Sequence, residues 1–121
     1  MFRVVEPGEE QPLGMPSPAI ELFRVSGRGP ELGPLARHVK TPQLLAAMDG
    51  ARWGLWLAPP GDHPVEPRWF TFEAHQAVLL EAGTWHRGPV PLDATEGTYL
   101  TVEAPGTNTH DLEEQDPPQR S

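Results

Sequence analysis

The 121-residue chain predicts a compact all-β fold, and three features of the sequence carry that expectation. Sixteen prolines and twelve glycines interrupt it at short intervals. A proline inside a helix costs about 3 kcal/mol, so long helices are excluded. Between these breaks lie short runs rich in β-branched and aromatic residues. Four tryptophans and four phenylalanines give those runs enough apolar bulk for one core, and the length leaves no room for a second.

The elements follow in chain order. Glu6 to Pro18, EPGEEQPLGMPSP, reads as a loosely packed stretch, which makes residues 1–18 an N-terminal arm. Strands are expected at Ile20–Val25, Trp53–Ala58, Arg68–Phe72, Gln76–Leu80 and Gly97–Ala104. Ser26-Gly27-Arg28-Gly29-Pro30, Pro59-Pro60-Gly61-Asp62 and Glu81-Ala82-Gly83-Thr84 are turns. Thr98 to Glu103 alternates, with Leu100 and Val102 on one face. Gln43–Met48 is ambiguous, because Thr41-Pro42 resembles a helix N-cap with proline at the first helical position. Residues 19–109 form the folded body, and the acidic residues 110–121 form a flexible C-terminal tail.

Charge narrows the function. Seventeen acids against nine bases give a net charge of −8 and argue against nucleic-acid binding and against a polybasic membrane anchor. The chain shows no membrane-length apolar run and no secretory signal pattern, so a cytoplasmic protein is expected. Cysteine is absent, which excludes disulfides, thiolate ligands and a cysteine nucleophile. The five histidines are His38, His63, His75, His86 and His110, and no two have the spacing that puts a metal-binding pair on one strand or helix face. Neither a phosphate-binding glycine loop nor a nucleophile elbow is present. No metal and no cofactor are expected. The large aromatic content of so small a chain also points to a homodimer.

The most informative stretch is Gln76–Leu92, QAVLLEAGTWHRGPVPL, where an apolar strand ends in a glycine turn followed at once by Trp85-His86. Together with Arg37-His38, Gln43, Trp56-Leu57-Ala58-Pro59-Pro60-Gly61-Asp62 and the Gly106–Glu114 segment, it resembles the ureidoglycolate lyase family. The resemblance runs from about Ile20 to Glu114 and implies a small cupin-like antiparallel β-barrel, with Gln43–Met48 as a strand. It also implies a homodimer paired through strands. Metal-binding cupins carry an H-x-H pair with a glutamate in one motif, and this chain lacks it. Many members of the family have Tyr, His and Arg in the turn before the W-H pair and a second His after it. Here those places hold Leu80, Glu81, Ala82 and Arg87.

The implied reaction eliminates urea from ureidoglycolate to leave glyoxylate. It needs a base for the hydroxyl proton, an acid for the leaving nitrogen, and a cation for the carboxylate. Histidine serves either proton role near neutral pH. His86 is the first candidate base, with His38 or Glu81 second, Glu81 only if it is buried. Arg37 and Arg24 are the candidate carboxylate forks. Arg24 would point inward if the Ile20 and Leu22 face is buried. Gln43 offers its amide to the ureido group or to a structural hydrogen bond. Trp85 is a pocket wall or a core residue, and Asn108 and Glu103 lie near the last strand. Two other readings stay open: a cupin-like protein acting on another small carboxylic acid, and a degenerate, non-catalytic dimeric module.

Overall fold

A computed structural model describes residues 1–26 and 29–118. Gly27 and Arg28 of the expected turn, and residues 119–121 of the expected tail, lie outside the described residues. The strands are β1 (Phe2–Val5), β2 (Ala19–Ser26), β3 (Leu35–His38), β4 (Gln43–Ala47), β5 (Trp53–Ala58), β6 (Arg68–Phe72), β7 (Ala77–Leu80), β8 (Trp85–Pro91), β9 (Glu96–Glu103) and β10 (Leu112–Gln115), with a one-turn helix α1 (Thr107–His110) before the last. They form two five-stranded antiparallel sheets, β1-β7-β4-β9-β2 and β10-β3-β8-β5-β6. The all-β, cupin-like expectation is met. No helix among the described residues is long and apolar enough to cross a membrane.

All five strands expected from the sequence form, within one residue at either end. The helix-like cap at Thr41-Pro42 does not prevail. Gln43–Ala47 is a strand hydrogen-bonded on both sides, to β7 and to β9, and pairing in mid-sheet outweighs a weak local preference. The ends of the chain also depart from the sequence reading. Phe2–Val5, inside the expected arm, pairs along its length with β7, and Leu112–Gln115, inside the expected tail, pairs with β3. Without them the outer backbone groups of β7 and β3 would be left unpaired. Strand β8 was hidden by Pro89 and Pro91, since proline cannot donate to a ladder. The register against β5 shifts between Gly54 and Trp56, so that Pro89 falls within the irregularity, while Pro91 stands opposite Trp53 near the end of the strand.

Strand periodicity sorts the side chains. Between the sheets lie Leu45, Trp53, Leu55, Leu57, Phe72, Val78, Leu80 and Tyr99, all buried. The Trp53 ring stands 5.0 Å from Phe72 and 5.9 Å from Tyr99, which fills one end of the inner space. A second cluster, Leu35, Ala58 and Trp85, lies on the other face of the β3-β8-β5 region, with Leu32 and Trp56 against it. On β2 the core side is taken by Phe23 and Val25. Ile20 and Leu22 are therefore exposed, at 71% and 59%, and Arg24 shares their outward face. The inward placement of Arg24 is thus corrected: the face on which it stands is the solvent face, so the charge needs no buried partner.

Leu55→Ala should cost about 2–5 kcal/mol, because Leu55 is wholly buried and its removal leaves a cavity. Arg24→Ala should change stability by less than about 0.5 kcal/mol. Urea unfolding of both variants checks the pair, and a large loss for Arg24→Ala would contradict its outward placement.

Candidate active site

The end of the inner space not filled by Trp53 and Tyr99 is polar. His38 ends β3, Gln43 opens β4, His86 lies one residue into β8, Glu103 ends β9, and Thr107 opens α1. Register aligns them. Gln43 pairs with Leu80 across β4 and β7, and Ala36, two residues before His38, pairs with His86 across β3 and β8. The turn that delivers β8 needs Gly83, whose φ of +83° few other residues adopt, and Pro60 lies 3.3 Å from where a Cβ would stand. The two imidazoles are stacked, with ring centroids 5.8 Å apart and planes at 19°.

His38 is buried and held on both sides. Its Nδ1 is 2.9 Å from the Thr107 hydroxyl, which lies 3.4 Å from Asp111 Oδ2. Asp111 only accepts, so the hydroxyl donates to it and accepts from His38 Nδ1–H. That tautomer turns the Nε2 lone pair toward Glu103 Oε2, 3.5 Å away. Burial pushes the His38 pKa down, opposed by Asp111 and by the Gln43 amide. Burial likewise raises the Glu103 carboxyl, Glu21 adds to the rise, and Asn108 Nδ2, donating to Oε1 over 3.3 Å, opposes it. Burial, with His38 beside it, lowers His86 to about 4, so that the ring is neutral near pH 7.

Three buried polar atoms here lack a hydrogen-bond partner among the described residues: Gln43 Oε1, His86 Nδ1 and Glu103 Oε2. Gln43 spends its amide donor on Thr101 Oγ1, 3.1 Å away. A fourth such atom, Trp53 Nε1, is in the apolar core. Buried orphans cost about 1–3 kcal/mol each; Gln43 and His86 border one space, and Glu103 lies 3.5 Å from His38, which borders it too. The space is lined by His38, Thr41, Gln43, Leu80, Glu81, Thr84 and His86 and leaves no room for a water-sized sphere. A larger cleft, about 650 Å³, lies elsewhere, against Leu32, His63, Glu66, Arg68 and Pro118. The histidine pair is not at the mouth of that cleft.

The other sequence candidates do not all converge. Arg37 and Trp85 precede His38 and His86 on their strands, so they point to the opposite sheet face. There the Arg37 guanidinium lies 4.7 Å over the Trp85 ring, pairs with Glu113 at 2.6 Å and donates to the Gly61 carbonyl. Neither reaches the histidine pair, which corrects the carboxylate role for Arg37 and the pocket-wall role for Trp85. Arg24 is outside as well. Glu81 lines the space, but its side chain is 58% exposed and pairs with the Met1 amino group at 3.1 Å, so the burial its base role required is absent. Asn108 acts on Glu103, not on the space itself. Ala82 is exposed, and Arg87 donates to the carbonyls of Glu31 and Pro34.

Sequence reasoning missed Thr107, Asp111 and Arg68. The first two sat in a segment expected to be exit loop and tail. Arg68 lies on the inner face of β6 beside a cavity of about 310 Å³ lined by Met1, Leu57, Pro59, Val65, Glu66, Arg68 and Phe70. Alternation with the buried Phe72 was the available signal for it. Among the described residues no group of three or more His, Asp or Glu side chains is placed to hold a metal ion. A family model described as ureidoglycolate lyase matches residues 15–120. No curated protein matches the chain.

The His86 shift has a sign in stability. The unfolded chain takes up a proton near pH 6.5 that the folded site refuses until about 4, so stability falls as pH drops through that window. The loss should approach about 3 kcal/mol at the acid end. His86→Leu should remove most of this slope in urea titrations between pH 7 and 4.5. An unchanged slope would mean that His86 titrates normally.

Proposed function

The chain belongs to the ureidoglycolate lyase family, and from that premise we propose that it eliminates urea from ureidoglycolate to leave glyoxylate. The observation that carries the reading is the set of three unpartnered buried atoms on Gln43, His86 and Glu103, gathered beside the stacked histidines. These supply a base, an acid and an amide-binding group for the elimination, which needs in addition a cation for the carboxylate.

In this reading His86 takes the hydroxyl proton, since it is neutral near pH 7 and its Nδ1 is unengaged. The oxygen electrons form the new carbonyl as the carbon–nitrogen bond breaks. The leaving nitrogen keeps that bond's electron pair and receives a proton from the Glu103 carboxyl beside His38, whose acid form burial favours. The net change moves one proton from oxygen to nitrogen. Thr107 and Asp111 hold the His38 ring in the tautomer this transfer needs. Gln43 Oε1 accepts from the ureido N–H, while its amide group stays anchored on Thr101.

A second reading, a different small carboxylic acid as substrate, is favoured by one observation. Leu80 and Glu81, which stand where many family members have Tyr and His, both line the space beside the histidines. Substituents there select among substrates without altering the proton chemistry.

The assay is glyoxylate release from racemic ureidoglycolate, run with and without chelator to separate proton-transfer from metal-dependent chemistry. His86→Ala should lower turnover about 10²–10⁴-fold, the worth of a positioned proton-transfer group. The acid limb of kcat/KM should lie below pH 6.5, toward 4, because His86 stays neutral down to there. Wild-type turnover matched by His86→Ala would remove His86 from the mechanism.

A further inference from the structure

The proposed substrate is an anion, yet the histidine cluster contains no fixed cation. The described cations can be surveyed one by one, and the Met1 ammonium is already paired with Glu81. Arg37 is paired with Glu113, Arg52 with Asp93, and Arg87 with two backbone carbonyls. Arg24 is on the outward face of β2, and Arg3 shares a cleft with Glu9 and Glu10. Lys40 lines a separate cleft with Thr107 and Asp111. Arg68 remains. Among the described residues its guanidinium makes no ion pair, and it borders both the 310 Å³ cleft beside Met1 and Leu57 and the 650 Å³ cleft beside His63 and Pro118.

Register places it in line with the proton chemistry. Leu57 of β5 pairs with His86 of β8 on one side and with Arg68 of β6 on the other. The three residues form one row on one face of the sheet, so the Cα atoms of His86 and Arg68 are two strand spacings apart, roughly 10 Å. An arginine reaching along that row brings its fork near the imidazole. Met1 touches the lining of both spaces. Its carbonyl accepts from the Thr84 hydroxyl at 2.8 Å and from Glu81 N–H at 3.0 Å, two residues that line the histidine space, while Met1 itself lines the Arg68 cavity.

We propose that Arg68 is the carboxylate anchor of the site, and that its 310 Å³ cavity joins the histidine pair when Met1 is displaced by the ligand. The inference rests on the carboxylate substrate proposed above. It assigns the ligand a direction: carboxylate toward β6, hydroxyl and ureido groups toward His86 and Gln43. Glu66 lines the same cavity, so its carboxylate opposes the ligand's charge and sets an upper limit on affinity.

Kinetics with ureidoglycolate test the anchor. Arg68→Gln should raise KM about 10–100-fold, the worth of hydrogen bonds to a charged group, with kcat changed only a few-fold. Arg68→Lys should recover part of the loss, because it keeps the charge but not the fork. The carboxamide analogue of the substrate, used as an inhibitor, should bind wild type and Arg68→Gln equally, since it carries no charge to grip. Glu66→Gln should lower KM, and a rise instead would put the ligand on Glu66. Arg68 is exposed at the start of β6, so the variants should fold as the parent does. A KM for Arg68→Gln within twofold of wild type would overturn the anchor and leave the lyase reading standing. A wild type that does not turn over ureidoglycolate would sink the lyase reading alone. Calorimetry with oxalate then decides the anchor: binding lost in Arg68→Gln supports it, and binding unchanged in the variant, or no binding to wild type, overturns it.

Discussion

Trp53, Tyr99 and Phe72 wedge one end of the space between the two sheets, and the placement of everything polar depends on that wedge. Large rings fill the inner face over the first half of β5 and the last residue of β6. They leave the opposite end, where β3 and β9 finish and β4 and β8 begin, to smaller and polar side chains. A close-packed apolar end keeps the sheets in fixed relation, which small shifts cannot loosen without opening voids. The histidines are held at 5.8 Å because the strands carrying them are held there.

The polar end bears a corresponding cost. Gln43, His86 and Glu103 each keep one buried atom without a partner, and such groups disfavour the folded state. A core built for stability alone would hold apolar residues at these positions. Functional sites carry this kind of local unfavourable energy, offset by packing elsewhere. The neutral His86 and the raised Glu103 carboxyl follow from the same burial that causes the cost.

Strand periodicity explains which parts of the site were legible. Both histidine motifs, Arg37-His38 and Trp85-His86, lie within strands, where neighbours point to opposite faces. Once His38 and His86 face inward, Arg37 and Trp85 must face outward, where they stack on each other. Reading each pair as one functional unit therefore assigned two residues to the wrong side of the sheet. The same rule, applied to Arg68 and Phe72, placed an arginine on the inner face. On β2 the apolar run offered both faces as candidates, and Ile20 and Leu22 took the exposed one because Phe23 and Val25 fill more of the core.

What the sequence determined by itself was the class of fold and five of the strands. Those rest on local chemistry: proline and glycine breaks and β-branched runs. Tertiary structure alone decided that Gln43–Ala47 is a strand, that Phe2–Val5 and Leu112–Gln115 complete the sheets, and which face of each strand is inside. It also brought Thr107, Asp111 and Glu103 around His38, across 65 residues or more of chain. Such choices depend on which backbone edges and which apolar faces find partners, and those partners are distant in the chain.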